Sequence, residues 1–266
     1  MSRSVALYNL VMRLWSFTRL GYKLVDYPLA GFFLKPIFSP RVNQITIIPV
    51  KEAIDTGKSV ILPYMLLPAL IEQASARFIM KDCMCRTNEG CSSFPLELGC
   101  IFLGNGSNQI NPALGKLVTV EEALRHVQKA LDAQLTPLVA HTIFDATLLG
   151  IQYNKMLTVC FCCECCCTIR NGLRLGPGQF GEIVLPLPGI QVKVDETCIG
   201  CGECIDRCYV RAISMEGLSV KIAATCIGCS RCAIACPIGA IRIHITGGAN
   251  LADQLLAGIR NYTEIS

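Results

Sequence analysis

The sequence lacks the features that define several large classes of protein. It has no run of about 20 apolar residues, the length of a bilayer-spanning helix, because the longest charge-free segment near Leu66, residues 59–71, contains Pro63 and Pro68. It opens without the charged, apolar and small-residue series of a secretory signal. The net charge is only +4, which is too small to indicate nucleic-acid binding. Charged residues make up 17% and hydrophobic residues 52%, which excludes a disordered or coiled-coil chain.

Several catalytic and nucleotide-binding signatures are missing as well. The glycine-rich segment 103–107 does not follow the Walker or dinucleotide pattern, so it is interpreted as a turn. No nucleophile triad can be argued from the residue types. The chain has three histidines, His126, His141 and His244, and each is expected to be structural rather than a metal ligand.

Cysteine, in contrast, is abundant: there are 18 in 266 residues. They form four clusters, over residues 83–100, 160–167, 198–208 and 226–236. A chain of this length buries a full core and needs no disulfide framework, whereas a metal centre needs several thiolates close together. The clustering therefore predicts metal sites. Because thiolates and iron–sulfur clusters oxidise readily, a reducing, anaerobic cytoplasm is expected.

Two of the clusters form an internal repeat. Residues 198–208 and 226–236 each read C-x2-C-x2-C-x3-C, so every cysteine of the first copy has its counterpart at one constant offset, and Pro237 follows the second copy. Three cysteines at i, i+3 and i+6 can wrap a tight loop around one face of a cluster. Gly200 and Gly228 allow the turn in this loop without a Cβ clash.

This repeat resembles the bacterial two-[4Fe-4S] ferredoxin over about residues 190–245. The resemblance implies one-electron transfer and two crossed ligand sets: Cys198, Cys201, Cys204 and Cys236 for cluster I, and Cys226, Cys229, Cys232 and Cys208 for cluster II. Tyr209 departs from the family, which often has proline there, but no ligand is lost. A zinc ribbon is the alternative, although zinc sites usually space two C-x2-C pairs around a longer loop.

The ten other cysteines are predicted to build at least one additional metal or cluster site. Both groups follow an apolar β-type run and open with C-x-C, which on a strand directs two thiols to one side. Neighbouring strands would bring them together. The candidate ligands are Cys83, Cys85, Cys91, Cys100, Cys160, Cys162, Cys163 and Cys165, with Cys166 and Cys167 the least secure.

Other interpretations of these ten cysteines stay open. They are buried free thiols or a redox-active disulfide, and a metal site could hold zinc, although iron–sulfur is preferred. Arg86 follows the first C-x-C. It could donate hydrogen bonds to a cluster or an anion, or be an ordinary surface arginine.

The elements predict an α/β N-terminal domain plus a small α+β ferredoxin-like two-cluster domain. Strand-like runs at 45–50, 59–63, 76–81, 138–144 and 156–160 alternate with helical patterns at 66–77 and 120–133, the second opened by a Thr119/Glu122 capping box. The predicted divisions are a basic amphipathic helical segment (1–41), a cysteine-rich α/β domain (42–170), a Gly/Pro linker (171–189), the ferredoxin domain (190–246) and a C-terminal helix (247–266).

Residues 1–41 carry six basic residues and one acid, and are read as one or two helices ending at Pro36 and Pro40. Such a segment packs on the core of the protein, or contacts a partner or a membrane surface peripherally.

The expected function is therefore iron–sulfur electron transfer by a carrier or redox subunit that serves partner proteins. One alternative is a reductase or activating enzyme whose N-terminal cysteine site is catalytic and is fed by the ferredoxin module. Another is a scaffold or maturation factor for metal clusters. No nucleic-acid partner is expected, and the location is expected to be cytoplasmic, with membrane contact through residues 1–41 as the open alternative.

Overall fold

Three short helices begin the chain. The computed structural model describes residues 4–15, 17–49, 54–55, 60–61, 66–175, 181–187, 189–245, 257–259, 261 and 263–266, without the side chains of 54–55, 60–61 and 245. The helices are α1 (Val5–Arg13), α2 (Phe17–Leu24) and α3 (Pro28–Leu34). The prediction of one or two helices was wrong, because Pro28 begins a third one at a position where a missing N–H is harmless.

The middle of the chain forms a mixed α/β layer structure. Its elements are β1 (Asn43–Ile47), β2 (Ile54–Asp55), β3 (Val60–Ile61), α4 (Leu66–Gln73), β4 (Arg77–Met80), α5 (Met84–Asn88), β5 (Ile101–Leu103), β6 (Gly115–Leu117), α6 (Val120–Asp132), β7 (Thr136–Thr142), α7 (Ile143–Leu149), β8 (Leu157–Cys162) and α8 (Thr168–Leu175). Six strands form one sheet in the order β1-β7-β8-β5-β4-β6, and β2 pairs with β3.

Every pairing in the large sheet is antiparallel. Alternating strands and helices usually accompany a parallel sheet, but the short α7 returns the chain so that β8 runs against β7. The mixed α/β character is confirmed. The alternation of strands and helices along the sequence did not, however, determine whether neighbouring strands run parallel or antiparallel. The capping box is also confirmed: the Glu122 N–H donates to Thr119 Oγ1, and the Thr119 N–H donates to Glu122 Oε2.

The sheet separates two buried layers. On one face Ile101, Val159 and Phe161 pack with α4 and α6. The opposite face carries residues such as Phe102 and Leu138, and the N-terminal helices lie over it, with α1 against α5 and α7, and α2 against α8. Because successive residues of a strand point to opposite faces, cysteines that follow one another can enter different layers.

Residues 190–245 repeat one strand–helix–strand unit. The elements are β9 (Ile190–Val194), α9 (Glu203–Arg207), β10 (Ile213–Glu216), β11 (Ser219–Ile222), α10 (Arg231–Ala235) and β12 (Ile241–Ile245). The sequence offset that aligns Cys198 with Cys226 also aligns the elements of the two halves: β9, α9 and β10 correspond to β11, α10 and β12. β9 pairs with β12 and β10 with β11, so the halves are related by an approximate two-fold axis.

The remaining segments connect these units. Residues 171–175 of the expected linker belong to α8, and Val184 makes a parallel bridge to Ile45 of β1. Of the expected C-terminal helix, residues 257–259 are helical, and most of the rest lies outside the described residues. In the described part of the chain, every helix is too short or too polar to cross a bilayer.

Candidate metal centres

The first set of four cysteines lines one small pocket in the ferredoxin-like unit. Set I consists of Cys198, Cys201, Cys204 and Cys236, the crossed combination in which the last cysteine comes from the other repeat. The rest of the pocket wall consists of Ile199, Gly202, Val220, Ile238 and Ile241. Cys201 is exposed and Cys204 is buried, so this set lies near the surface of the unit.

The second set takes three cysteines from the second repeat and one from the first, and its members are more buried than those of set I. Set II consists of Cys226, Cys229, Cys232 and Cys208. Burial, together with the nearby Cys208 and Cys226 sulfurs, raises the pKa of the Cys229 thiol to about 12. Burial and the other three sulfurs also raise the pKa of Cys232. Four mutually repelling thiolates are stable together only when a bound cationic centre replaces their protons.

The backbone of the two sets repeats as closely as the sequence does. Gly200 and Gly228 have φ of +65° and +69°. A Cβ on Gly200 would lie 2.6 Å from the Leu218 carbonyl oxygen. The Ala212 N–H donates to Cys208 Sγ at 3.1 Å, and the Ala240 N–H donates to Cys236 Sγ at 3.2 Å. Such N–H···S bonds stabilise thiolate ligands and tune a cluster's potential.

The ten remaining cysteines divide between the two faces of the large sheet. Cys160 and Cys162 lie on β8 and share one face, as the C-x-C spacing predicted. Cys163 continues the chain onto the opposite face and packs with Phe161 and Val159. The structure therefore forms two thiol groups, where the sequence predicted at least one additional site.

Four thiols on the α6 side form a compact cluster, the cysteine quartet. Its members are Cys91, Cys163, Cys165 and Cys166, whose sulfurs all lie within 4.8 Å of one another. Cys165 Sγ is 3.6 Å from Cys91 Sγ and 3.5 Å from Cys166 Sγ. A tetrahedral ion with metal–sulfur bonds of about 2.3 Å requires sulfurs about 3.8 Å apart. The quartet thus fits one tetrahedral zinc or iron ion, with Cys166 as a full member.

Six thiols on the other face, together with Cys163 of the quartet, line a cavity of about 300 Å³, the thiol cavity. The six are Cys83, Cys85, Cys100, Cys160, Cys162 and Cys167. The register of β5 and β8, extended by one residue, sets Cys100 opposite Cys160, with their sulfurs 3.2 Å apart. The Cys162 and Cys167 sulfurs are 3.0 Å apart. All are free thiols, since a disulfide would bring the sulfurs to about 2.05 Å.

The first C-x-C reaches this cavity by a different route from the one predicted. Cys83 is the N-cap of α5 and Cys85 lies inside that helix, so the expectation of two thiols on one strand was wrong here. β4 and β8 are not neighbours, because β5 lies between them. A hydrogen bond from Cys85, opposed by burial and aided by Arg86, lowers the pKa of Cys83 to about 6.

Arg86 is a fully buried residue rather than a surface arginine, with 0% exposure. Its Nη1 donates to the Phe161 carbonyl at 2.7 Å, and its Nη2 donates to the Leu98 carbonyl. Its Nε has no hydrogen-bond partner among the described residues. The sulfurs of Cys83, Cys163, Cys100 and Cys162 raise its pKa against the opposing effect of burial.

The ferredoxin-like unit contacts residues 163–167, the cysteine-rich turn that follows β8. Glu164, the one charged residue between Cys160 and Cys167, pairs with both Arg207 and Arg231. Tyr209 is 2% exposed and packs in one buried cluster with Cys162, Cys167 and Cys229. Its phenol oxygen has no partner among the described residues, and the Arg170 guanidinium lies 5.5 Å from its ring centroid.

Sequence reasoning missed Glu164 and the role of Tyr209. Each carried a signal: Glu164 interrupts a run of cysteines, and Tyr209 replaces the usual proline. For two of the histidines, the expectation of a structural role agrees with their contacts. His126 Nε2 and His141 Nε2 hydrogen-bond the Gly99 and Tyr153 carbonyls, both at 2.8 Å.

A comparison with known families supports one part of this picture. Residues 220–242 match the model of a 4Fe-4S binding domain. No curated protein and no solved structure matches the chain. The matched segment holds Cys226, Cys229, Cys232 and Cys236, which the structure divides between set II and set I. It implies at least one [4Fe-4S] cluster, and four thiol donors with N–H groups directed at sulfur fit that group.

Proposed function

We propose that this chain is an iron–sulfur electron-transfer protein that holds two [4Fe-4S] clusters in residues 190–246. The observation that carries the proposal is the repetition of the whole donor arrangement. Sets I and II each combine three cysteines from one repeat with the fourth from the other, in a backbone that repeats together with the sequence. A [4Fe-4S] cluster, when bound, supplies one-electron transfer.

The chain's own residues give the two sets different surroundings. Set I includes the exposed Cys201 and is surrounded by exposed apolar side chains, among them Ile199 and Leu218. That surface suits a redox partner protein, because apolar patches with a polar rim are typical of docking sites. Set II includes the buried Cys229 and faces the cysteine-rich turn through Tyr209. The unit is therefore oriented between an external partner and the N-terminal domain.

The N-terminal domain adds a metal site at the cysteine quartet. Its sulfur separations suit one tetrahedral ion and are too short for four ligands on different irons of a cubane. We assign it a structural or electron-transfer ion, zinc or iron, that ties the turn 163–166 to Cys91.

Iron and acid-labile sulfide measured on the anaerobically purified full chain test this function. Residues 190–246 account for about eight irons and about eight sulfides per chain. Cys226→Ser should remove about four of each, and Cys198→Ser the other four. Cys91→Ser should remove one metal ion and no sulfide. A sulfide content of four or fewer in the wild-type chain, after full reconstitution, would contradict the two-cluster proposal.

A further inference from the structure

The thiol cavity is more than a layer of buried cysteines. Its seven thiols come from the start of α5, the residue before β5, β8 and the turn before α8, and they line about 300 Å³ together with Trp15, Tyr22 and Phe38. A single buried cysteine is an ordinary small apolar residue. Seven around one space in a small domain bring more sulfur ligands together than packing requires.

Arg86 supplies independent evidence that the cavity holds negative charge. A buried guanidinium is strongly unfavourable unless an anion lies close to it. In the described part of the chain no carboxylate pairs with Arg86, and its polar contacts are two carbonyl oxygens. The thiols of Cys83, Cys100, Cys162 and Cys163 lie around it and line the cavity. The cavity is also lined by Asp145, which accepts a hydrogen bond from Thr158 Oγ1 and whose pKa is raised by burial, so this carboxyl group is a poor source of the compensating charge. The Arg86 Nε donor is unsatisfied within the described residues.

The spacing of these sulfurs indicates which kind of group the cavity can bind. The quartet's sulfurs lie within 4.8 Å of one another, whereas no three of the cavity's thiols, all of them described, form such a group. They make close pairs instead, Cys100 with Cys160 and Cys162 with Cys167. A single ion could not form metal–sulfur bonds to both pairs, because no three of these sulfurs lie within 4.8 Å of one another. A polynuclear group with several metal atoms could bind both pairs.

We propose that the thiol cavity is a separate cofactor site that binds an anionic polynuclear iron–sulfur cluster through its cysteines, with Arg86 as the compensating cation. Each thiol that binds iron loses one proton and forms one S–Fe bond, so ligation changes no oxidation state. Arg86 touches no reacting atom and is a positioning residue. The site does not depend on whether residues 190–246 hold one cluster or two.

The test measures iron, sulfide and Mössbauer spectra on the full chain reconstituted anaerobically with ferrous iron and sulfide. The wild-type chain should carry more sulfide than sets I and II hold, and the amount held by these two sets is the sulfide that Cys226→Ser and Cys198→Ser remove together. The double variant Cys100→Ala/Cys160→Ala should lose the excess iron and sulfide together and keep the ferredoxin signals. The matched control Cys91→Ser/Cys165→Ser should lose one metal ion and keep all the sulfide.

Two outcomes would overturn this proposal. One is a fully reconstituted wild-type chain with no sulfide beyond that of sets I and II, a result that needs no variant to fold. The other is a cavity variant that keeps the excess sulfide. The two proposals fail in different ways. If Cys226→Ser loses iron but the wild-type chain holds no excess sulfide, only the cavity site is rejected. If Cys226→Ser and Cys198→Ser keep the iron and sulfide content of the wild-type chain, only the ferredoxin clusters are rejected.

A second inference rests on the outer surface of α1–α3. Leu29, Phe32 and Phe33 are 85%, 77% and 71% exposed. Leu7, Leu10, Leu14, Phe17, Leu20, Tyr27 and Ile37 are exposed as well. Over residues 1–41 six basic residues accompany a single acid, Asp26. Among the described residues, Arg13, Lys23, Lys35 and Arg41 are exposed, and Arg19 is exposed but pairs with Glu89. An exposed apolar surface in a basic segment complements a surface of anionic lipid headgroups.

We infer that α1–α3 dock on an anionic phospholipid membrane. The test is flotation of the full chain with phosphatidylcholine vesicles that do or do not contain phosphatidylserine. Binding should need the anionic lipid and weaken with salt. Phe32→Ser/Phe33→Ser should weaken it at least about tenfold, whereas Leu218→Ser, at an 89% exposed position, should not. Two results would overturn the inference. One is equal vesicle binding by the double variant. The other is sedimentation of the wild-type chain as a dimer that Phe32→Ser/Phe33→Ser converts to a monomer, since a second copy would then cover this face.

Discussion

Glu164 and Arg231 form an ion pair, with Oε2 and Nη2 2.5 Å apart, between the cysteine-rich turn and the helix that carries Cys232. The Arg231 side chain is 9% exposed and also donates to the Gln134 carbonyl at 3.3 Å. The same carboxylate pairs with Arg207, one residue before Cys208. One glutamate therefore holds both helices of the ferredoxin-like unit against the N-terminal domain.

Removing this carboxylate should loosen the contact between the two units. Glu164→Gln keeps the side-chain shape but leaves Arg231 largely buried without its anion. We expect the free energy of unfolding to fall by about 1–3 kcal/mol, less than for a fully buried pair. Amide hydrogen exchange should accelerate over residues 225–236. In Glu216→Gln, which breaks the exposed pair with Lys221, both quantities should stay unchanged.

Tyr209 should matter for packing and not for cluster loading. Tyr209→Ala should leave the iron content of residues 190–246 intact, because no ligand is removed, and lower the free energy of unfolding by about 3–5 kcal/mol through the space it opens. Tyr209→Phe should be close to neutral, since the phenol oxygen has no partner among the described residues. Urea unfolding and iron analysis measure the two effects. Iron loss in Tyr209→Ala would show that the tyrosine supports set II directly.

Gly200 and Gly217 offer a matched pair of substitutions. Both have positive φ, +65° and +63°, so alanine at either position incurs a backbone penalty of about 1–2 kcal/mol. At Gly200 the new Cβ would also meet the Leu218 carbonyl oxygen at 2.6 Å, whereas nothing lies within 4 Å at Gly217. Gly200→Ala should therefore lose the iron of set I and Gly217→Ala should keep it. Equal iron contents in Gly200→Ala and Gly217→Ala would show that the Leu218 carbonyl oxygen does not restrict the side chain at position 200.

Cys166 and Cys167 are neighbours in sequence but belong to different sites. Cys166→Ser should remove the quartet's single metal ion and leave the sulfide content unchanged, because it removes one of four tetrahedral ligands. Cys167→Ser should leave that ion in place and lower the excess iron and sulfide. Metal analysis of the two variants side by side measures this. The same loss in both would mean that all ten cysteines serve one site.

The cysteine pattern of residues 198–236 can be interpreted from the sequence more fully than that of the N-terminal domain, for a physical reason. In residues 198–236 the ligand spacing is local and repeated, so Cys198 and Cys226 could be assigned to equivalent positions from the sequence alone. The start of α6 was predictable for the same reason, because Thr119 and Glu122 are three residues apart and satisfy each other's backbone N–H groups.

The division of the other ten cysteines depends on tertiary structure. Alternation along β8 could predict that Cys160 and Cys162 share a face, but not that the chain crosses to the other face at Cys163. Cys83 resembled the end of a strand, and only the structure shows it capping a helix. Arg86 gave no sign of burial, because its environment is assembled from Phe161 and Leu98, which are distant in sequence.

The thiol cavity joins parts of the chain that are far apart in sequence. Trp15, Tyr22 and Phe38 line the same space as Cys160 and Cys167, which come much later in the chain. A group bound in the cavity would therefore contact the N-terminal segment and the cysteines of the sheet together. Its binding would favour the packing of that segment on the sheet, and its removal would weaken this packing.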